Sequence, residues 1–381
     1  MSDFVLTGHQ EWLDNVWNRI KAKLAKTSRS IGAIMPYTTK NGKYMPYPNP
    51  DANAGCWWTE GFWPGILWIM YNETGDEFYR ETAEQIEEKM DEFLYAFDCL
   101  HHDVGFMWLL TSVANYRITG NDRSRRRGMT AASLLASRYN IGGGFIRAWN
   151  GGNKGWAIID CMMNIPILYW ASEQIDDKRF EKIARAHADK ALEVFLRSDG
   201  SVNHIVSMDS DTGEVIETFG GQGCYNGSSW SRGQSWALYG FVLSYIRSGD
   251  VNYLDAAKRV AHYFLADLAL KGDFVPDCDL RQPKDKILKD STAGAIAACG
   301  LIEIGRCVDE HEKDLYLTGA INILKALDEQ CWVKDEDNEA LLTGGTSSYH
   351  GADEHNIPLI YGDYYFVEAI SKLKDHKMLL W

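Results

Sequence analysis

The 381-residue chain is short of basic residues: 39 Lys and Arg stand against 53 Asp and Glu, a formal net charge of −14. Nucleic acid and anionic membrane surfaces both need a broad positive face, which a chain this acidic does not offer. An anionic substrate remains compatible with it if the pocket is locally positive. No run of 18 or more apolar residues occurs, so no membrane-spanning helix is expected. The opening MSDFVLTGHQEWLDN has neither a basic nor an apolar stretch, and no secretory leader is read there. The eight cysteines (Cys56, Cys99, Cys161, Cys224, Cys278, Cys299, Cys307 and Cys331) include no CxxC pair. That pattern suits free thiols in a reducing cytoplasm better than zinc ligands or a disulfide framework. There is no HExxH, no clustered His/Cys set and no acidic calcium loop, so no metal is expected. GGG at 142–144 and GG at 220–221 lack a following Lys-Ser/Thr and read as loops, not phosphate cradles.

What the chain has in excess is aromatic rings, 14 Trp and 19 Tyr. Many stand in loops or at helix starts: Trp57, Trp58, Trp63, Trp149, Trp156, Trp230 and Trp236. Flat amphipathic rings at a pocket mouth suit sugar rings, and core packing accounts for the remainder.

Helical periodicity dominates. It predicts helices near 9–27, 62–72, 77–95, 103–118, 123–138, 157–174, 178–197, 231–248, 251–268, 291–306, 313–329 and 360–374. Tight connections such as YNETGDEFY, YRITGNDRS and IRSGDVNYL join them in pairs, with Gly ending one helix and the following Asp or Asn capping the next. The first helix of each pair is apolar all round (STAGAIAACGLIEI) and the second amphipathic (RFEKIARAHADKALEVF), as buried and surface helices are. Six such pairs describe an all-α (α/α)6 barrel of six inner and six outer helices, one catalytic domain over residues 1–381. An open helical solenoid shares the local pattern.

In such a barrel the inner helices run in parallel, so their N-termini gather at one rim with the long segments 28–61, 139–156, 198–230, 269–290 and 330–359. Function is expected there. Converging helix N-termini also supply N–H groups and positive dipole ends for an anion. The inner-helix starts carry Trp58, Asp103, Asp160, Arg232 with Trp236, Asp290, and Tyr361 with Asp363. Asp290, before Ser-Thr-Ala, reads as a helix cap. Asp103, in HHDVGF, is open to two readings, cap or site acid. Asp160 lies in GWAIIDCMMNIPI, where apolar neighbours should raise its pKa and keep a proton for general-acid work. The other reading is a buried Asp satisfied by Asn164 or by backbone. Asp103 and Asp160 begin neighbouring inner helices and can face each other, an arrangement used for acid/base chemistry on sugars. Gln222, Arg232 and Gln234 offer donors, Trp236 a ring face, and His204 either reaches the rim or is structural.

Taken in order, WWTEGFWPGILW, HHDVGF, IIDCMMNIP, SRGQSWALYGF, KDSTAGAIAACGL and YGDYYFVEA, from about residue 50 to 372, resemble the unsaturated glucuronyl hydrolases of glycoside hydrolase family 88. The resemblance implies an enzyme that removes the Δ4,5-unsaturated uronic acid a polysaccharide lyase leaves at the non-reducing end of an oligosaccharide. It places the catalytic aspartates on Asp103 and Asp160 and substrate contacts on Trp58, Trp149, His204, Gln222, Arg232, Trp236 and Tyr349, with Ser348 beside it. It implies no cofactor. Relatives acting on sulfated chains resemble one another in a Ser-x-x-Ser-x-Lys stretch. Here the matching residues run from Ser348 through Gly351 to Asp353, which points to unsulfated substrates. The alternatives are a rhamnogalacturonyl-type hydrolase of family 105, a sugar isomerase or epimerase, and a non-catalytic sugar-binding barrel. A cytoplasmic monomer or weak homo-oligomer is expected.

Overall fold

Three connections of the same design set the hairpin rhythm of the chain. Gly75, Gly120 and Gly249 each end a helix in the left-handed region, with φ of 68°, 75° and 71°. The next residue but zero then caps the following helix: Asp76 accepts from Phe78 N, Asn121 from Arg123 N, and Asp250 from Asn252 N. Two helices thus fold back on each other within a few residues.

The computed structural model describes residues 8–47, 56–375 and 380–381. The leader reading of the first seven residues and the stretch 48–55 of the first long segment lie outside the described residues. All twelve expected helices are present. The outer set is α1 (Gln10–Ile31), α3 (Glu77–Lys89, followed by Asp91–Tyr95), α5 (Asp122–Ala136), α7 (Arg179–Val194), α9 (Val251–Lys271) and α11 (Glu310–Gln330). The inner set is α2 (Phe62–Thr74), α4, α6 (Pro166–Ile175), α8 (Ser231–Ser248), α10 (Ser291–Cys307) and α12 (Ile360–Leu373). α4 runs from Val104–Trp108 through a π-helical stretch, Leu109–Val113, into Ala114–Thr119. α10 is buried without a break from Ser291 to Gly305, whereas α7 buries one stripe: Phe180, Ala184, His187, Ala188, Ala191 and Val194.

Each inner helix packs on the next, and α12 packs on α2 as well as on α10. The ring therefore closes, and the solenoid alternative falls away. The fold is an (α/α)6 barrel.

The expected helix 157–174 begins later than predicted. Trp156–Ile158 is strand β5 of a three-stranded antiparallel sheet with β6 (Ile205–Met208) and β7 (Val215–Phe219), followed by a 3-10 turn, Ile159–Met163. The run Ala157-Ile158-Ile159 pairs readily as a strand. Pro166 then fits the first turn of α6, where its missing N–H costs nothing. Asp160 consequently rides on a tight turn at a strand end rather than inside a helix. Two small hairpins complete the long-segment rim: β1 (Pro36–Lys40) with β2 (Lys43–Pro46), and β3 (Tyr139–Asn140) with β4 (Phe145–Ile146).

Much of the aromatic excess fills the barrel axis. Phe106 lies 5.4 Å from Trp58, 5.0 Å from Trp236 and 5.9 Å from Trp381, and Trp381 stacks on Tyr365. Trp381 is fully buried, and its indole N–H donates to Glu368. Replacing Trp381 by Ala should remove about 3–5 kcal/mol, the usual scale for a large core aromatic. The checking measurement is a lower denaturant midpoint at unchanged slope; an unmoved midpoint would show that the ring does not anchor the axis.

Candidate active site

Gly105 explains how two distant aspartates meet. A Cβ on this residue would overlap the backbone of Asn164, so only glycine lets the start of α4 lie against the turn that leads into α6. Asn164 locks the contact. Its Oδ1 accepts from Phe106 N at 2.8 Å, and its Nδ2 donates to Asp160 O at 3.0 Å and, at 3.4 Å, to Asp103 Oδ1. One fully buried amide therefore ties both aspartate-bearing segments together.

Asp103 holds the N-cap position of α4, yet its side chain makes no capping bond. It faces sideways instead, with His102 Nε2 at 3.1 Å and His101 Nδ1 at 3.3 Å. His102 Nδ1 in turn faces Ala148 O at 2.9 Å. Both nitrogens of this buried ring face oxygens, and with Asp103 ionised both donate, as the imidazolium does. Burial opposes that charge, but Asp103 outweighs it and raises the His102 pKa. The reciprocal effect holds Asp103 ionised: burial pushes its pKa up, and His102, His101 and Asn164 together bring it below the ordinary carboxylate value.

Asp160 lacks such partners. Its Oδ1 is buried without a hydrogen bond, and His204 Nε2 stands 3.7 Å from it. Burial, reinforced by the Asp103 charge, pushes its pKa up to about 7 against partial relief from His102 and Arg232. His204 donates from Nδ1 to Gly220 O at 2.9 Å, and burial keeps it neutral, with a pKa pushed down to about 3. Gln222 N also approaches that nitrogen, at 3.3 Å, and is the weaker of the two contacts. The His204 Nε2 lone pair is therefore turned toward Asp160, as suits a carboxyl that carries its proton.

These groups surround a cavity of about 180 Å³, room for one pyranose ring, lined by Trp57, Trp58, His101, His102, Asp103, Trp149, Ile158, Asp160, Gln222, Trp230 and Arg232. Of the residues expected from the sequence, Trp58, Asp103, Trp149, Asp160, Gln222 and Arg232 line it, and His204 stands directly behind Asp160. The structure does not bring Trp236, Ser348 or Tyr349 to the wall. Trp236 is fully buried beneath Trp58 and Phe106, and Tyr349 is buried behind Gln222, with its N–H on Gln222 O at 2.9 Å. Wall residues not assigned from sequence are Trp57, His101, His102, Ile158 and Trp230. The Trp-Trp pair at 57–58 and the His-His pair at 101–102 were the available signals.

Arg232 is also more engaged than expected. Its guanidinium, fully buried, bonds Asp290 Oδ2 at 2.6 Å, Thr346 O at 2.8 Å and Ser347 O at 2.6 Å. Asp290 does cap α10, through Thr292 N at 3.1 Å, but its other oxygen anchors this arginine. The cap reading was incomplete.

The cysteine reading needs correction. Cys56 and Cys99 form a disulfide, with Cα atoms 6.5 Å apart, while the other six are free. The two lie 43 residues apart in the chain, with no spacing motif. They become neighbours because the approaches to the first two inner helices adjoin on the ring. Among the described residues, His101, His102 and Asp103 also form a grouping able to offer three metal ligands within 4.8 Å of one another. His102 and Asp103 are engaged with each other, Ala148 and Asn164, whereas His101 Nδ1, 3.3 Å from Asp103, is buried without a hydrogen bond.

A proton-bearing carboxyl and an ionised one set over a tryptophan-lined, ring-sized pocket define a helical-barrel glycoside hydrolase. Residues 31–269 match the model for Glycosyl Hydrolase Family 88, and the chain belongs to that family. It is 35% identical to an unsaturated glucuronyl hydrolase of Bacillus sp. (strain GL1), over 92% of this chain and 93% of that one. It is 32% identical to an unsaturated chondroitin disaccharide hydrolase of Streptococcus pneumoniae (strain ATCC BAA-255 / R6), over 85% and 83%. A crystal structure of the Bacillus sp. GL1 unsaturated glucuronyl hydrolase superposes with a TM-score of 0.86 at 34% identity, covering 94% of this chain and 95% of that one.

Gly105→Ala should destabilise the protein by about 1–3 kcal/mol, the cost of forcing a methyl into packed backbone. It should also separate the two aspartate-bearing segments. Thermal unfolding checks the first effect; a variant as stable as the parent would mean that the Gly105–Asn164 contact is not close.

Proposed function

We propose that the chain removes a Δ4,5-unsaturated uronic acid from the non-reducing end of lyase-generated oligosaccharides by hydrating the C4=C5 bond. The observation that carries this reading is the pairing of a carboxyl that keeps its proton near neutrality with one that does not. The names of the family relatives support it. The reactive feature is an enol ether. Asp160 delivers its proton to C4, and the electron pair of the double bond forms the new C–H bond. Positive charge develops at C5 and is shared with the ring oxygen. Asp103, held ionised by His102, stabilises that charge and orients ring hydroxyls. Water adds at C5, and Asp160, now a carboxylate, takes the released proton. The resulting hemiketal opens to a 5-keto product and expels the remaining sugar chain. Asp160 supplies both proton transfers of the hydration step, which needs no metal or organic cofactor.

Trp58 and Trp149 offer ring faces to the sugar, and Gln222 and Arg232 lie where its carboxylate or hydroxyls fall. His204 backs the Asp160 carboxyl at 3.7 Å, Ser347 and Tyr349 hold Gln222 in place, and Trp236 supports Trp58. Unsulfated substrates fit best: Asp353 is exposed on the last long loop, and nearby Glu354, bonded to Ser347 Oγ at 2.9 Å, adds a second carboxylate that would repel sulfate. The whole chain serves as one catalytic domain, a monomer or weak homo-oligomer. No helix among the described residues is long and apolar enough to cross a membrane, and six free cysteines suit a cytoplasmic enzyme, the Cys56–Cys99 bond being the feature that weighs against it.

Loss of the far-ultraviolet absorbance of an unsaturated disaccharide on adding the protein is the direct test. Asp160→Asn should slow that loss by at least about 100-fold, the scale of general-acid catalysis, while the sugar still binds. Wild-type turnover by this variant would refute the assignment. The pH profile follows from the same groups. The competent form has Asp160 protonated, so kcat/KM should fall about tenfold per pH unit above about 7. It should hold on the acid side until below about 3.9, the ordinary Asp value, since Asp103 is held lower. A profile that rises from pH 6 to 8 would reverse the roles.

A further inference from the structure

On the other side of His101 from the pocket lies a larger cavity of about 640 Å³, and His101 forms part of both walls. Its basic residues are Arg138, Arg147 and Lys154. None of the three, two half-buried arginines and an exposed lysine, has a carboxylate within ion-pair distance among the described residues, whereas the buried Arg127 pairs with Glu87 and Asp91 and the buried Arg232 with Asp290. Asp98 and Asp211 also border the cavity but form no ion pair with them.

Arg138 is held in place without being neutralised. Its guanidinium donates to the carbonyls of Arg147 (3.0 Å), Ala148 (3.2 Å) and Leu100 (3.4 Å) and to Asn150 Oδ1 (2.8 Å). Burial, with the Arg147 charge beside it, lowers its pKa to about 10, so it stays charged at neutral pH while lacking a counterion. Arg147 donates to Gly151 O, and its Nε is buried with no partner. Lys154 is exposed at the cavity edge. Half-buried guanidinium charges with no carboxylate beside them favour an anion, even on a chain of net charge −14.

We propose that this cavity binds an anionic group, carboxylate or sulfate, carried by the sugar chain on the reducing side of the bond that is cut. The inference rests on the function proposed above. With the unsaturated ring in the Asp103–Asp160 pocket, sugars leaving past Trp149 and His101 would reach this cavity. Trp149 lines the pocket and its neighbour Asn150 lines the cavity. An internal uronate, or a sulfate on the adjoining hexosamine, would then meet Arg147 and Lys154, with Arg138 behind. The cavity would make the enzyme prefer longer fragments.

The test compares three unsaturated substrates: an unsulfated disaccharide, the same disaccharide sulfated on its hexosamine, and an unsulfated tetrasaccharide with one internal uronate. Arg147→Gln and Lys154→Ala are made singly and together; Lys154→Ala, at an exposed site, guards against a folding defect. The double variant should lose about tenfold in kcat/KM on whichever substrate carries the second anion, the scale of one charge-assisted hydrogen bond. Turnover of the unsulfated disaccharide should stay within about twofold. Loss confined to the tetrasaccharide identifies a carboxylate, and loss confined to the sulfated disaccharide identifies a sulfate. An equal loss on all three substrates, or none on any, overturns the proposal. If the parent protein turns over no unsaturated sugar, the proposed function fails separately. The cavity is then judged by calorimetric binding of the tetrasaccharide: salt-sensitive binding that the double variant loses supports the site, and indistinguishable isotherms refute it.

Discussion

The chemistry of this barrel depends on one electrostatic asymmetry: two carboxyl groups share a buried pocket, and only one has a cation beside it. His102, pinned between Ala148 O and Asp103 and with its pKa raised, gives Asp103 a counter-charge. Asp160 faces a neutral histidine at a distance too long to bond. Burial alone would raise both pKa values, and the partner decides which one is pulled back. Had a cation stood equally close to Asp160, the pocket would hold two anions and no usable proton.

That asymmetry is built by the fold. The close approach at Gly105 and the bridging amide of Asn164 bring the start of α4 against the Asp160 turn, and ring closure supplies the walls from elements far apart in sequence. Gln222 comes from the segment leading into α8 and Arg232 from its first turn, and both are fastened to the Ser347 carbonyl of the last long loop. The protein is acidic overall, yet the pocket and its neighbouring cavity collect His102, Arg138, Arg147 and Arg232. A negative exterior and a locally positive interior are compatible because low dielectric inside makes short-range partners count for more than net charge.

Much of this was legible in the sequence, for reasons that differ by element. Helices such as α8 and α10 announce themselves because burial on all sides demands an unbroken apolar run, and the Gly-Asp connections carry their own backbone requirement. The raised pKa of Asp160 could be read because its apolar neighbours are adjacent in the chain. What could not be read depends on contacts at long range. The strand at 156–158 exists only because β6 is there to pair with it, and the Cys56–Cys99 bond because two helix approaches meet. Asp290 looked like a cap, which it is, but its hold on Arg232 spans 58 residues. Asp103 looked like a cap and is not, because His102 and Asn164 outcompete the helix N–H groups for its oxygens.

The central claim, that Asp160 keeps its proton to about neutrality while Asp103 is ionised, is open to direct observation. Carboxyl resonances of protein labelled with ¹³C at aspartate can be followed against pH and assigned by comparison with the Asp160→Asn variant. The account predicts one resonance, absent from that variant, titrating near pH 7, and an Asp103 resonance unchanged down to below the ordinary aspartate range. An Asp160 resonance that completes its titration near pH 4 would contradict it.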